Sequence, residues 1–288
     1  MNKKNNSMNV MTSKMKTNPG GSLGDVGFPM PEFNNRDKLI EFMKMKRGYD
    51  YSNNFAFLDY LKNRKVAELG CGHGYITFCL YDYVTAIDGF DVDQNALLVA
   101  RELMKAYGLD HRINFTAMES DEVPAESDSY DCVLSADVIE HVQNPFKYLS
   151  ESYRILRKGG RLLISTPNGL ISKKNACIIK SHSPYHITEY YPNEILEMAG
   201  EIGFSLEESF SKISRDGIGY RLNLLRTIKI RLWCLLGRFS QALAFSIFNR
   251  LMHDPNNADS CENYYVKRIS VNEITKDNCD VMLFVFKK

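Results

Sequence analysis

The sequence is poor in the signals that most readily announce a binding chemistry. It has a single tryptophan, and its seven cysteines (71, 79, 132, 177, 234, 261 and 279) include no C-x-x-C pair. Neither a zinc ribbon nor a dithiol redox centre is therefore spelled out. Several of the thiols lie inside apolar runs, as reduced, buried cysteines of a cytosolic protein do. A net charge of only +1 gives no whole-chain argument for nucleic acid, which leaves electrostatics to local patches. The first residues carry Lys3, Lys4, Lys14 and Lys16 without an acid. No apolar stretch of about 7–15 residues follows them, so a secretory signal is not expected. Residues 1–30 read as a disordered tail of methionine, asparagine, glycine and proline. One further absence is regional. From Gly217 to His253 there is no Asp or Glu, while Arg221, Arg226, Lys229, Arg231, Arg238 and Arg250 are basic.

What remains is an ordinary globular composition, 44% hydrophobic and 25% charged. After short helices over 37–46 and 53–63, the apolar period switches between 2 and 3.6 with short turns between. Strands are expected at 65–69, 84–92, 113–118, 130–136, 161–167, 204–210 and 281–288. Helices are expected at 75–83, 94–108, 144–158 and 191–203, the third stopped by Gly159-Gly160. This is the pattern of an α/β fold, a doubly wound, mostly parallel seven-stranded sheet with helices on both faces. A helical insertion, about 211–270, precedes the last strand, so residues 31–288 make one domain with a binding core over about 53–204.

The stretch VAELGCGHGYITF (66–78) joins the first strand to a helix through Gly70, Gly72 and Gly74. A dinucleotide fingerprint needs glycine where Tyr75 stands. Glu68, ahead of the glycines, would repel a pyrophosphate but suits a cationic ligand such as S-adenosylmethionine, with its amino group and sulfonium. Asp91 ends the second strand and can accept from both hydroxyls of a ribose. Asp93 sits where the next helix needs its N-cap.

These blocks, with FDVDQNALLVAREL, INFTAMESDEVP, SYDCVLSADVIEHVQNP and ILRKGGRLLISTPNG, resemble the Rossmann-like (class I) S-adenosylmethionine-dependent methyltransferases. The likeness covers roughly 53–204 and is nearest the branch with the ubiquinone-biosynthesis O-methyltransferases. It implies S-adenosylmethionine as cofactor, with Glu68, Gly70 and Gly72 at the methionine end and Asp91 on the ribose. Glu119 and Ser120 fall at the adenine, and Asp137 at the end of the fourth strand, facing substrate. Glutamate at 119 departs from the aspartate usual in that family.

SADVIEHVQNP places Asp137, Glu140 and His141 at i, i+3 and i+4, one face if the segment is helical. His186 follows the fifth strand and can reach the same mouth. Three roles are open to the set: holding Mg²⁺ or Mn²⁺, as in some relatives; an active-site histidine acting as general base without metal, with Asp137 and His186 beside it; or ordering the start of the helix. In-line methyl transfer needs mainly alignment of the acceptor, which is why no catalytic triad is written here. A hydroxyl of a small-molecule, sugar or lipid-like acceptor is expected. An RNA 2′-O-methyltransferase using divalent metal and a non-catalytic S-adenosylmethionine-binding subunit are the alternatives. The basic, apolar stretch 217–253 reads as a lid over the acceptor, a peripheral contact with an anionic membrane surface, or, least in keeping with its spacing, an RNA contact. A cytoplasmic protein is expected; the sequence sets no oligomeric state.

Overall fold

The computed structural model describes residues 57–119, 122–171, 186–214, 264–275 and 278–288. The expected tail (1–30), the helix at 37–46 and the basic stretch 217–253 lie outside the described residues, as does Ser120. A helical stretch, 57–61, leads into β1 (Lys65–Leu69). There follow α1 (Tyr75–Leu80), β2 (Ala86–Asp91), α2 (Gln94–Ala106), β3 (Ile113–Ala117) and β4 (Tyr130–Ala136). The chain continues through α3 (Pro145–Ile155), β5 (Leu156–Pro167), α4 (Pro192–Ile202), β6 (Ser205–Ser214), β7 (Tyr264–Arg268) and β8 (Val281–Lys287).

The strands form one sheet in the order β3-β2-β1-β4-β5-β8-β6-β7. The first five are parallel, and β8 runs antiparallel between β5 and β6. Strand order reverses between β1 and β4, so the crevice at their carboxyl ends is where an open α/β sheet takes its ligand. The sheet has eight strands rather than seven. The extra one, β7, lies in the 211–270 stretch expected to be helical, and β6 runs to Ser214 instead of ending near 210. β7 pairs antiparallel with β6 from Phe210–Arg268 to Ser214–Tyr264. At the sheet's margin, backbone pairing overrides a weak local pattern.

The helix ends follow local chemistry. Asp93 accepts from the N–H groups of Asn95 and Ala96 and starts α2. Asn144 caps α3, with Pro145 in its first turn. α4 opens on Pro192 and closes on Gly203 at φ 115°. α3 stops at Ile155, short of the expected 158, because Leu156 is already extended and pairs with Tyr130 of β4. Gly159, at φ 76°, then falls in the irregular start of β5, before regular pairing resumes at Arg161.

The sheet is buried on both sides. Phe78, Leu97, Leu103 and Phe115 pack on one face, and Tyr148, Leu149, Ile155 and Ile195 on the other. Along β8 the alternation is complete, with Val281, Leu283 and Val285 on the first face and Met282, Phe284 and Phe286 on the second. Among the described residues no helix is long and apolar enough to cross a membrane.

Candidate functional site

The turn after β1 carries Gly70, Gly72 and Gly74, all at positive φ (76°, 52° and 78°). Their surroundings differ. A Cβ on Gly70 would sit 2.5 Å from the Val138 side chain, so this glycine brings the β4 exit against the turn. A Cβ on Gly74 would meet the Phe115 ring at 2.5 Å. One on Gly72 would meet nothing within 4 Å. Gly70 and Gly74 therefore serve packing, whereas Gly72 faces open space at the crevice.

Asp91, the last residue of β2, closes the other side of this space. One carboxylate oxygen accepts from the Gly72 N–H at 2.6 Å and the other from the Asp93 N–H at 2.8 Å. Each oxygen retains a lone pair, and the carboxylate is fixed before any ligand arrives. Glu68 is 2% exposed beneath the turn and accepts from the Thr77 hydroxyl of α1. Burial, with Glu68 and Asp91 nearby, pushes the Cys71 thiol well up, so it stays protonated and unreactive. Next to Asp91, Val92 is an apolar side chain left 58% exposed. Glu119 is exposed and bridges to Glu122, whose carboxylate meets Lys147 of α3 at 2.7 Å.

Beyond β4 the chain does not go directly into a helix. Asp137 adopts φ 53°, an unusual value for a residue with a side chain. Its backbone N–H donates to the Ser165 carbonyl at 3.0 Å, and its carboxylate accepts from the Ser165 hydroxyl at 2.9 Å. A 3-10 turn, Ile139–His141, follows. The spacing argument assumed continuous helix from Asp137. The left-handed residue breaks that premise: Asp137 follows β4 and is tied to Ser165 of β5, while its charge is still felt at Glu140.

Glu140, His141 and His186 do come together, with candidate ligand atoms within 4.8 Å of one another. Glu140 is 1% exposed; one of its oxygens accepts from Thr166 at 3.0 Å, and the other has no hydrogen-bond partner among the described residues. Burial first, then the Asp137 charge, push its carboxyl well above the usual carboxylate range. The Glu140 carbonyl accepts from the N–H groups of Ile187 and Thr188, which locks the 186–188 segment onto the turn. The His141 and His186 rings lie 4.8 Å apart at 81°. His186 Nδ1 meets the Glu189 carboxylate at 2.6 Å, and Glu189 is 1% exposed.

Sequence reasoning missed four supporting residues: Thr77, Ser165, Thr166 and Glu189. Ser165 and Thr166 left a trace, as two hydroxyls closing the apolar run LLIS of β5. Glu189 stands three residues after His186, but that spacing alone gives no sign that the two side chains meet.

Residues 67–164 match a family described as a methyltransferase domain. Over 155 residues the chain is 28% identical to a probable S-adenosylmethionine-dependent methyltransferase of Mycolicibacterium smegmatis, covering 54% of this chain and 57% of that protein. It is 27% identical over 110 residues to a ubiquinone biosynthesis O-methyltransferase of Pseudomonas aeruginosa, covering 38% and 46% respectively. The chain thus spans about half the length of the curated relatives it matches. A solved S-adenosylmethionine-dependent methyltransferase of Thermotoga maritima covers 88% of this chain and 95% of its own, with a TM-score of 0.55 and 16% identity. At that identity the likeness is one of fold.

Proposed function

We propose that this chain, whose residues 67–164 are a methyltransferase domain of the S-adenosylmethionine-dependent class, transfers the donor's methyl group to a hydroxyl of a small-molecule, sugar or lipid-like acceptor. The observation that carries the reading is the pre-set Asp91 carboxylate, held by the Gly72 and Asp93 N–H groups beside the open face of Gly72. A ribose diol placed there completes the lone pairs of both oxygens. Glu68 lies below the same turn, where its negative charge favours the cationic methionine end over a pyrophosphate. Gly72 leaves room for that end, and the adenine extends past Val92 toward Glu119.

In the transfer, the methyl carbon's bond to sulfur breaks as its bond to the acceptor oxygen forms, and the hydroxyl proton leaves. The enzyme's largest contribution is alignment, which supplies roughly 7–11 kcal/mol when the reacting atoms are held in line. Asp137, His141 and His186 form the polar side of the mouth, orienting the hydroxyl and receiving its proton. Support for oxygen as the acceptor comes from this mouth and from the ubiquinone O-methyltransferase among the relatives.

The test is incubation of the purified chain with methyl-labelled S-adenosylmethionine and fractionated small-molecule, lipid, glycan, RNA and protein pools. Alkali-stable label in a hydroxyl-bearing small molecule, glycan or lipid is expected. Label confined to RNA or protein would overturn the acceptor assignment, and failure to bind the donor would overturn the whole reading.

A further inference from the structure

We infer that the end of the sheet opposite the crevice docks on an anionic phospholipid surface, through the exposed cations of Lys62, Arg64, Lys65, Lys158 and Lys287. The contact itself does not rest on the proposed function; its consequence for the acceptor does.

Strand register puts these residues at one end of the molecule. Val66, Cys132, Arg161, Lys287 and Ser205 are neighbours in turn across β1, β4, β5, β8 and β6. This level is the amino end of the parallel strands, and the loop 62–64 and the irregular start of β5 lie just beyond it. Local bonds join the parts. Asp131 accepts from the Lys65 N–H at 2.7 Å with one oxygen and pairs with Arg157 at 2.5 Å through the other. Gly159 donates to the Lys288 carbonyl, and the Lys288 N–H donates to the Gly160 carbonyl. Burial, then the Asp131 charge, push the Cys132 thiol up to about 11, while Arg64, Arg161 and Arg157 oppose that rise. Three guanidinium groups are thus gathered around one thiol.

Charge at this end is not balanced. Three of its cations have a carboxylate: Arg157 on Asp131, Arg161 on Glu207 and Lys288 on Asp128. Lys62, Arg64, Lys65, Lys158 and Lys287 are exposed and make no ion pair among the described residues. Arg161 and Lys287 stand opposite each other across the β5–β8 pair, with Glu207 hydrogen-bonded to Arg161. Like charges placed directly opposite cost stability. A negative surface laid against them removes that cost.

The form of the patch selects the partner. Its cations are spread across the ends of β1, β5 and β8, a broad array. The rings at this end, Tyr60, Tyr130 and Tyr153, each carry a cation on one face: Arg161, Lys65 and Lys288 respectively. Open stacking platforms, which a single-stranded nucleic acid uses, are therefore not what these rings offer. Leu206 follows Ser205 along β6 and is 39% exposed, an apolar anchor beside the cations that suits the headgroup layer of a bilayer. Docked in this way, the protein turns the crevice at the carboxyl ends of the strands away from the bilayer. On the proposed function, the acceptor then arrives from the aqueous side rather than from within that leaflet.

Co-sedimentation of the full chain with vesicles of equal parts phosphatidylcholine and phosphatidylserine, and with phosphatidylcholine alone, reads the contact. Binding to the anionic vesicles only, weakened by salt, is expected. Lys62→Gln, Lys158→Gln and Lys287→Gln combined are expected to lower the affinity about 100-fold, at about fivefold for each cation near the leaflet. Leu206→Ser is expected to lower it several-fold. Urea melts report that each variant is folded, and donor affinity is expected to stay unchanged in both. Vesicle binding that survives the triple replacement, or a chain that binds S-adenosylmethionine but no vesicle, overturns this inference and leaves the proposed function standing. Preference for poly(U) RNA over the vesicles, lost in the triple variant, would make the face a nucleic-acid contact and overturn the membrane assignment.

Discussion

Asp91 is held by backbone N–H groups from two different loops, so its position is set by the fold rather than by a ligand. Replacing it with asparagine keeps the shape, removes the charge and puts a donating NH2 where one oxygen accepted, so either the Gly72 or the Asp93 N–H loses its acceptor. Of the two ribose hydrogen bonds expected, one loses its acceptor and the other its charge assistance; the lost bond to a charged group is worth about 1.5–3 kcal/mol, or roughly a 10–100-fold rise in donor Kd. Calorimetric titration of Asp91→Asn with S-adenosylmethionine checks this. The glycines beside it separate binding from folding. Alanine at Gly72 costs the strain of a left-handed residue, about 1–2 kcal/mol, and places a methyl group in the open space the donor is to occupy. Alanine at Gly74 adds overlap with Phe115, for roughly 1–3 kcal/mol beyond that strain. Urea midpoints are therefore expected to fall further for Gly74→Ala, and donor affinity to fall further, per unit of stability lost, for Gly72→Ala.

At the scale of elements, α3 governs a loop it does not belong to. Arg154 donates to the carbonyls of Val123 and Ala125, and Glu151 accepts from the Val123 N–H while pairing with Arg154. Together they fasten the segment that follows Glu119. Arg154→Ala removes these donors and is expected to raise donor Kd by roughly 2–10-fold, the worth of about one net hydrogen bond, although Arg154 touches no part of the proposed ligand. The hydrogen bonds from Arg154 hold the Glu151 carboxyl below the usual carboxylate range. A lowered folded-state value means stability that is present above the unfolded value, about 4.3, and lost as pH falls through the folded one. Wild type is thus expected to lose its stability advantage over Glu151→Gln in that acid window, as read by denaturant melts at neutral and acid pH.

These same elements show where the sequence was legible. β1, β2 and α2 were readable because local rules dictate them: alternating apolar residues, glycines at a turn, and Asp93 as a cap. The position of Asp91 at the tip of β2 came from spacing alone. The mouth was only partly readable. The grouping of Asp137 with Glu140 and His141 assumed an unbroken helix; the chain instead turns at a left-handed Asp137, anchored by Ser165 from 28 positions away, and the Asp137 charge still reaches Glu140. The early end of α3 and the existence of β7 likewise depend on pairing with strands distant in sequence, which local periodicity does not record.

At the scale of the molecule, the site rests on a sheet whose middle is completed from far along the chain. β8 contributes six buried side chains between β5 and β6. At about 1.5–3 kcal/mol for each large apolar side chain, their burial is comparable with the whole stability of a typical domain, about 5–15 kcal/mol. Deletion of 281–288 is expected to abolish cooperative unfolding and donor binding together, as followed by circular dichroism and titration.

The place of β8 also has a consequence for how the chain is made. β5 and β6 leave the ribosome well before the strand that separates them, and until it arrives each presents an open row of backbone donors and acceptors. Open edges are templates for pairing with any extended segment nearby. For that interval the nascent protein is exposed to strand invasion by its neighbours, and chaperone protection during synthesis matters most between the emergence of β6 and that of β8.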